Sequence, residues 1–247
     1  MGRLAGKVAL VTGGTRGIGH GIVRAYLAEG ARVVFSGTSK HTVAAARRAL
    51  APDAPCEGVV AELGDPAAPE RLVAETVKRF GGVDILVNNA GVVSRASEWE
   101  LTPEEWDRIH AVNLRATFFL AREAARSMRD RGGGSILNVS SIAGQSGGIA
   151  GSPAYASSKA AVIGLTKSLA RRFAPLAIRV NCLAPADIET DMTAGFPPEL
   201  RERLIAITPL GRFGSVDEIT GAAVFLAADE SSYITGQTLS VNGGAYM

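Results

Sequence analysis

Val8-Ala-Leu-Val11 followed by Thr12-Gly13-Gly14-Thr15-Arg16-Gly17-Ile18-Gly19 is the stretch on which the fold turns. Four consecutive apolar residues bounded by turn residues read as a short strand buried on both faces. The segment from Ile18 to Glu29 is amphipathic with helical spacing and stops at Gly30. Between them lies a turn too rich in glycine to be a plain connection. Glycines let the backbone bend sharply and approach a ligand without Cβ clashes. A turn that opens a helix also presents free N–H groups and the positive end of the helix dipole, which suits a pyrophosphate. The spacing is T-G-x-x-x-G-x-G rather than G-x-G-x-x-G. Gly13, Thr15, Arg16, Gly17, Ile18 and Gly19 are therefore the first candidate nucleotide contacts.

Outward from this unit the same rhythm repeats. Strands are predicted at Arg32–Ser36, Glu57–Val60, Val83–Val87, Ser135–Val139, Ile178–Asn181 and near Thr238–Val241. Helices are predicted through Val43–Leu50, from Pro66 and Pro69 to Phe80, from Pro103 to as far as Arg129, from Tyr155 to about Ala174, and over Val216–Ala228. Thr102-Pro103-Glu104-Glu105 is a strong helix start, with a capping hydroxyl, proline in the first turn and acids against the dipole. Short apolar strands alternating with helices mean a parallel α/β sheet covered on both faces. No linker, repeat or low-complexity tract interrupts residues 1–247, so a single domain is expected. Asp187 to about Gly214 carries Gly195, Pro197, Pro198 and Pro209 around a short amphipathic piece, Glu199–Ile205. It reads as a mobile lid.

Composition narrows the function. Of 247 residues 47% are apolar and 20% charged, and the formal net charge is +2, which fits a globular chain and gives no basic footprint for nucleic acid. No apolar run reaches the ~18 residues of a membrane span. The chain enters a strand at Lys7 with no signal-peptide pattern before it, and its two cysteines, Cys56 and Cys182, lie far apart. A cytoplasmic protein with reduced thiols is expected. The three histidines, His20, His41 and His110, are scattered, so no metal site is expected.

The chemistry-bearing motif is Tyr155-Ala156-Ser157-Ser158-Lys159, with Ser141 closing the strand upstream. Residues four apart share one helical face, and an ammonium beside a phenol favours the phenolate. Such a phenol can exchange a proton with a carbonyl or hydroxyl near neutrality. The end of the second strand speaks to the coenzyme. A carboxylate there would bond the free 2′-hydroxyl of NAD, whereas Ser36-Gly37-Thr38-Ser39-Lys40 has none. Arg16, Lys40 and the Thr38 or Ser39 hydroxyl suit a 2′-phosphate, so NADP(H) is favoured and NAD(H) is the alternative.

Taken together these features resemble the short-chain dehydrogenase/reductase family over nearly the whole chain. Thr12-Gly13…Gly17-Ile18-Gly19 is similar to the family's coenzyme turn, and Asn88-Asn89-Ala90-Gly91 to its motif after the fourth strand. Asn113, Ser141, Tyr155 and Lys159 match its catalytic tetrad. The resemblance implies a Rossmann-type doubly wound seven-stranded parallel sheet. It implies that Tyr155 gives a proton to the carbonyl oxygen, that Lys159 lowers the tyrosine pKa and bonds the nicotinamide ribose, and that Ser141 polarises the oxygen. Asn113 would hold the water linking Lys159 to solvent. Asn89, Ala90 and Gly91 would line the adenosine ribose, Leu63 the adenine, and Ile188 with Thr190 the carboxamide and phosphates. Asn181-Cys-Leu-Ala-Pro185, Ile188-Glu-Thr-Asp-Met192, Ser232-Tyr-Ile-Thr-Gly-Gln-Thr-Leu239 and Val241-Asn-Gly-Gly244 most resemble 3-oxoacyl-acyl-carrier-protein reductases. By that likeness a homotetramer acting on a small carbonyl or alcohol substrate, or on an acyl carrier protein docked on Arg129, Arg131 and Arg171, is expected.

Three departures qualify the likeness. Glu62 stands where the family has Asp or Asn. Pro185 is followed by Ala186-Asp187 instead of Gly, over the expected nicotinamide position, which would strain Ala186 if a positive φ were needed. Val92-Val-Ser-Arg-Ala-Ser-Glu-Trp99 replaces the Thr-Arg-Asp-type stretch and leaves room for sugar, polyol or other ketone substrates. Two rival readings fail on the residues themselves. Gly144-Gln145-Ser146-Gly147-Gly148 fits the G-x-S-x-G elbow of α/β-hydrolases, but that fold needs a histidine after the serine and all three precede it. A non-catalytic NADP-binding regulator would be expected to carry a broken tetrad, and this one is whole.

Overall fold

Residues 2–247 are described by a computed structural model. The strands are β1 (Val8–Val11), β2 (Arg32–Gly37), β3 (Cys56–Val60), β4 (Ile85–Asn88), β5 (Gly134–Val139), β6 (Ile178–Pro185) and β7 (Thr238–Val241). Between them run α1 (Gly17–Ala28), α2 (Lys40–Arg48), α3 (Ala68–Phe80), α4 (Pro103–His110) and α5 (Ala116–Asp130). The second half holds α6 (Ala143–Ser146), α7 (Pro153–Phe173), α8 (Asp191–Ala194), α9 (Pro198–Ala206) and α10 (Val216–Ala227). The strands form one sheet in the order β3-β2-β1-β4-β5-β6-β7, and every pairing is parallel.

Alternation along the strands divides the core in two. Ala9 and Val11 of β1 face one layer with Phe35, Val87 and Leu183, where Ile22 and Tyr26 of α1 and Ile219 and Val224 of α10 pack. Leu10, Val34, Leu86 and Ile136 face the other layer, against Leu72 of α3, Leu120 and Met128 of α5 and Leu169 of α7. A strand buried on both sides has no polar face, which is why the β1 run is apolar without interruption. The order reverses beside β1, whose neighbours are β2 and β4. At such a switch point the loops leaving adjacent strands diverge and open a crevice at the carboxyl ends.

The elements match the expectations with three instructive shifts. The helix predicted from Pro103 is broken by a π-helical stretch, Ala111–Arg115, centred on Asn113. β6 runs on to Pro185, because Ala184 and Pro185 still pair with β7 after the β5 pairing ends at Leu183. β4 begins at Ile85 rather than Val83, since the Asp84 carboxylate accepts from Val8 N (2.8 Å). That carboxylate also takes two hydrogen bonds from Arg131, at 2.7 and 3.0 Å, and Arg129 pairs with Asp130 at 2.9 Å. Two of the three arginines expected to form a docking patch are therefore engaged within the molecule. Ala186 does not carry a positive φ: Ala177 is the one non-glycine with positive φ among the described residues. The strain foreseen for the Pro185-Ala186 step is absent.

Candidate active site

The glycine turn is clamped from the far side by the loop after β4. Thr12 Oγ1 accepts from Asn89 N and Ala90 N, both at 3.0 Å, while Asn89 Nδ2 donates to Thr12 O (2.9 Å) and Gly13 O (3.2 Å). This close packing leaves no space for side chains. A Cβ on Gly19 would lie 2.2 Å from Gly13 O and 2.4 Å from Asn89 Nδ2. Gly17, the first residue of α1, has φ +53°, and Arg16 before it contributes no side-chain cap. The first N–H groups of α1 are thus left for a ligand, and the dipole favours an anion there.

A second set of contacts fixes α7 against β5. Ser152 caps the helix by accepting from Tyr155 N (3.4 Å), and Ser140 Oγ donates to Lys159 O (2.7 Å). Gly144 lets α6 lie against the same turn, since a Cβ there would meet Lys159 C at 2.6 Å. Lys159 Nζ donates to Val139 O (2.9 Å) and sits 5.8 Å from the centre of the Tyr155 ring. Burial lowers the Lys159 pKa from 10.5 to about 8. The Tyr155 phenol is raised above its ordinary value, first by burial and then by the Asp187 carboxylate, with Ser141 opposing. The expectation that Lys159 lowers the phenol is therefore not met in this geometry. Its ammonium bonds a main-chain oxygen, and desolvation disfavours both charged forms.

One cavity of about 680 Å³ joins the two halves. Gly13, Thr15, Arg16, Gly17, Ile18, Gly19 and Thr38 line one end, with Leu63, Asn89, Ala90 and Gly91 along the side. Ser141, Tyr155 and Lys159 line it as well, as do Ile188 and Thr190, the latter beside Gly17. Of the four tetrad residues, Asn113 alone does not border it. Its Oδ1 accepts from Val92 N (2.8 Å) and its Nδ2 donates to Val92 O (3.0 Å) and Ser158 Oγ (3.0 Å). It stands immediately behind: a Cβ on Gly91 would come 3.3 Å from Lys159 Nζ and 3.4 Å from Asn113 Oδ1. Lys40 does not reach the lining, and Ser39 spends its hydroxyl capping α2 through Thr42 N (3.2 Å). Glu62 is exposed and accepts from its neighbour Gly64 N (3.3 Å).

Sequence reasoning missed the wall around the tyrosine. Ile149, Met192, Phe196 and Ile207 line it from loops and short helices, where no periodicity marks an apolar residue. Arg95 belongs to no motif, and nothing in its sequence neighbourhood marks it. Its guanidinium donates to Met192 O (2.9 Å) and stacks over Phe196, 5.0 Å from the ring centre, tying α8 to the loop after β4.

A family model described as Enoyl-(Acyl carrier protein) reductase, adh_short_C2, matches residues 13–246. The chain belongs to the short-chain dehydrogenase/reductase family. This short-chain dehydrogenase/reductase is 44% identical to a 3alpha-hydroxysteroid dehydrogenase of Mediterraneibacter gnavus, over 98% of both chains. It is 42% identical to the 3-oxoacyl-(acyl-carrier-protein) reductase of Escherichia coli K12, again over 98% of each. A crystal structure from Sinorhizobium meliloti 1021, described as a short-chain alcohol dehydrogenase, superposes with a TM-score of 0.91 at 35% identity, covering 98% of this chain and 97% of that one. As a member of the family, this short-chain dehydrogenase/reductase is an oxidoreductase acting on CH–OH groups.

Proposed function

We propose that the chain reduces a ketone to a secondary alcohol at the expense of a nicotinamide coenzyme, NADPH in preference to NADH. The observation that carries this reading is the single cavity in which the uncapped α1 terminus and glycine turn meet Ser141, Tyr155 and Lys159. The residues fit the coenzyme: the turn is packed too tightly for a Cβ at Gly13, Gly14 or Gly19, which would come to 2.9, 2.7 and 2.2 Å from neighbouring atoms, and no acid at the end of β2 opposes a 2′-phosphate. When bound, the coenzyme supplies the hydride. Arg16 and Thr38 would hold the 2′-phosphate end, Leu63 the adenine, Asn89 to Gly91 the ribose, and Ile188 with Thr190 the nicotinamide side. Tyr155, kept protonated by its buried setting, gives its proton to the carbonyl oxygen. Ser141 donates to the same oxygen as negative charge develops. Lys159, with a pKa near the working pH, restores the proton, and Asn113 holds the π-helical turn behind it.

Similarity to 3-oxoacyl-(acyl-carrier-protein) reductases makes 3-oxoacyl thioesters the leading substrate class. A small-alcohol, sugar or polyol substrate is the second reading, favoured by Asp187 in the cavity and by the engaged arginines on the surface. The segment 187–214, held by the Arg95 contacts, serves as the lid. Assembly as a homotetramer and residence in the cytoplasm complete the proposal. No helix among the described residues is long and apolar enough to cross a membrane. Purified protein should oxidise NADPH with an acetoacetyl thioester or a small ketone. Tyr155→Phe should remove turnover while coenzyme still binds by fluorescence titration. Turnover surviving in that variant would refute the assignment.

A further inference from the structure

Asp187 puts into the cavity a carboxylate that neither coenzyme binding nor proton transfer uses. It follows Pro185-Ala186 at the end of β6, half-buried, with its main chain pinned by Gly214 N donating to Asp187 O (3.0 Å) and Ala186 N to Val241 O (3.3 Å). Its carboxylate lines the same cavity as Ser141 and Tyr155. No hydrogen bond or ion pair to it forms among the described residues, and burial alone lifts its pKa. The cations nearby are committed elsewhere: Lys159 to Val139 O, Arg95 to Met192 O, and Arg16 toward Asp191 at 3.7 Å. A half-desolvated acceptor left unpaired at a site built for a carbonyl is costly unless the ligand supplies a donor.

We infer that Asp187 receives a neutral hydroxyl of the substrate next to the reacting carbonyl, so that the preferred substrates are short α-hydroxy ketones. The inference rests on the ketone-reductase reading above. A substrate oxygen must lie within reach of Tyr155 and Ser141, and the charge of Asp187 is close enough to act on that same phenol. A hydroxyl on the neighbouring carbon is the donor that such a substrate offers to the carboxylate in the same cavity. A cationic donor fits less well, because Lys159 lines the same cavity. Ile149, Met192, Phe196 and Ile207 offer only apolar contact for the remaining carbons. The reaction balances as a ketone gaining a hydride from the reduced coenzyme and a proton from Tyr155. It gives a vicinal diol and oxidised coenzyme.

The test compares 3-hydroxybutan-2-one with 3-methoxybutan-2-one, which keeps the inductive effect and lacks the donor. The hydroxylated ketone should be preferred in kcat/KM by roughly ten- to a hundredfold, the range of a hydrogen bond to a charged group. Asp187→Ala should bring the ratio to near one, and Asp187→Asn, which keeps an acceptor, should lie between. Saturation-transfer NMR on the Tyr155→Phe protein should show the same ranking in binding, without turnover. Equal loss for both ketones in Asp187→Ala, with changed NADP⁺ affinity, would mean that the acid serves the coenzyme and would overturn the inference. If neither ketone is reduced, the ketone-reductase reading fails; the NMR ranking then decides separately whether Asp187 selects the hydroxyl.

Discussion

Lys159 shows how much a buried charge can cost the fold. Its ammonium is buried to 4% exposure and compensated by one main-chain oxygen. The folded protein releases this proton near 8, while the unfolded chain holds it until 10.5, so the unfolded state binds more protons between those values. Wild-type stability from this group is therefore lowest below pH 8 and recovers as pH rises toward 10.5. Removing the charge relieves on the order of 3 kcal/mol, and losing the bond to Val139 O takes back about 1 kcal/mol. Lys159→Met should accordingly unfold at higher urea than wild type at pH 7, by about 2 kcal/mol, and the gap should close by pH 10. An equal gap at both pH values would show that packing, not ionisation, is responsible. The identity of this residue was legible in sequence, because Tyr-x-x-x-Lys and its upstream serine are defined by type and spacing. The direction in which Tyr155 titrates was not. Desolvation is a property of everything packed around a group, and Asp187 reaches the phenol only through the folding of β6.

At the scale of elements, α7 matters most, because its first turns aim the tyrosine. Ser152 caps it, with Pro153 in the first turn, and Ser152 N donates to Ser94 O (2.8 Å) in the loop after β4. Ser152→Ala removes the hydroxyl acceptor and keeps the main-chain tie. A loss of about 1 kcal/mol in stability is expected, together with a fall in kcat at little-changed KM for coenzyme. A stability loss with unaltered kcat would show that the cap holds the helix without positioning Tyr155. Such caps were readable where Ser or Thr precedes Pro, as at Thr102, whose Oγ1 accepts from Glu105 N (3.3 Å). The π-helical stretch at Ala111–Arg115 was not readable. Its apolar spacing departs from helical period by one residue within a long amphipathic run, and the side chain that replaces the lost regularity, Asn113, bonds to Val92, which is distant in sequence. The end of β6 was hidden for a related reason. Proline and alanine are weak strand formers, and only the arrival of β7 extends the ladder through them.

For the whole molecule, a parallel sheet covered on both faces was legible from rhythm, since apolar runs separated by helices leave few ways to bury both faces, while the doubly wound seven-stranded order was implied by the family resemblance. The apolar wall of the cavity was not, because it is assembled from loops whose order in space no periodicity encodes. The two layers that sandwich the sheet have one more consequence. Cys56 and Cys182 are both shut inside, at 4% and 0% exposure, and burial holds the Cys182 thiol at about 11. Neither sulfur offers a thiolate to an alkylating reagent while the structure is closed. Maleimide should leave the native protein unlabelled over hours and take up two equivalents in denaturant, so that mass spectrometry of labelled chains times each opening of the sheet. Rapid native labelling at either position would reveal a breathing motion that the packing does not anticipate. With both native thiols silent, a cysteine introduced on the surface becomes a single addressable handle for a fluorophore.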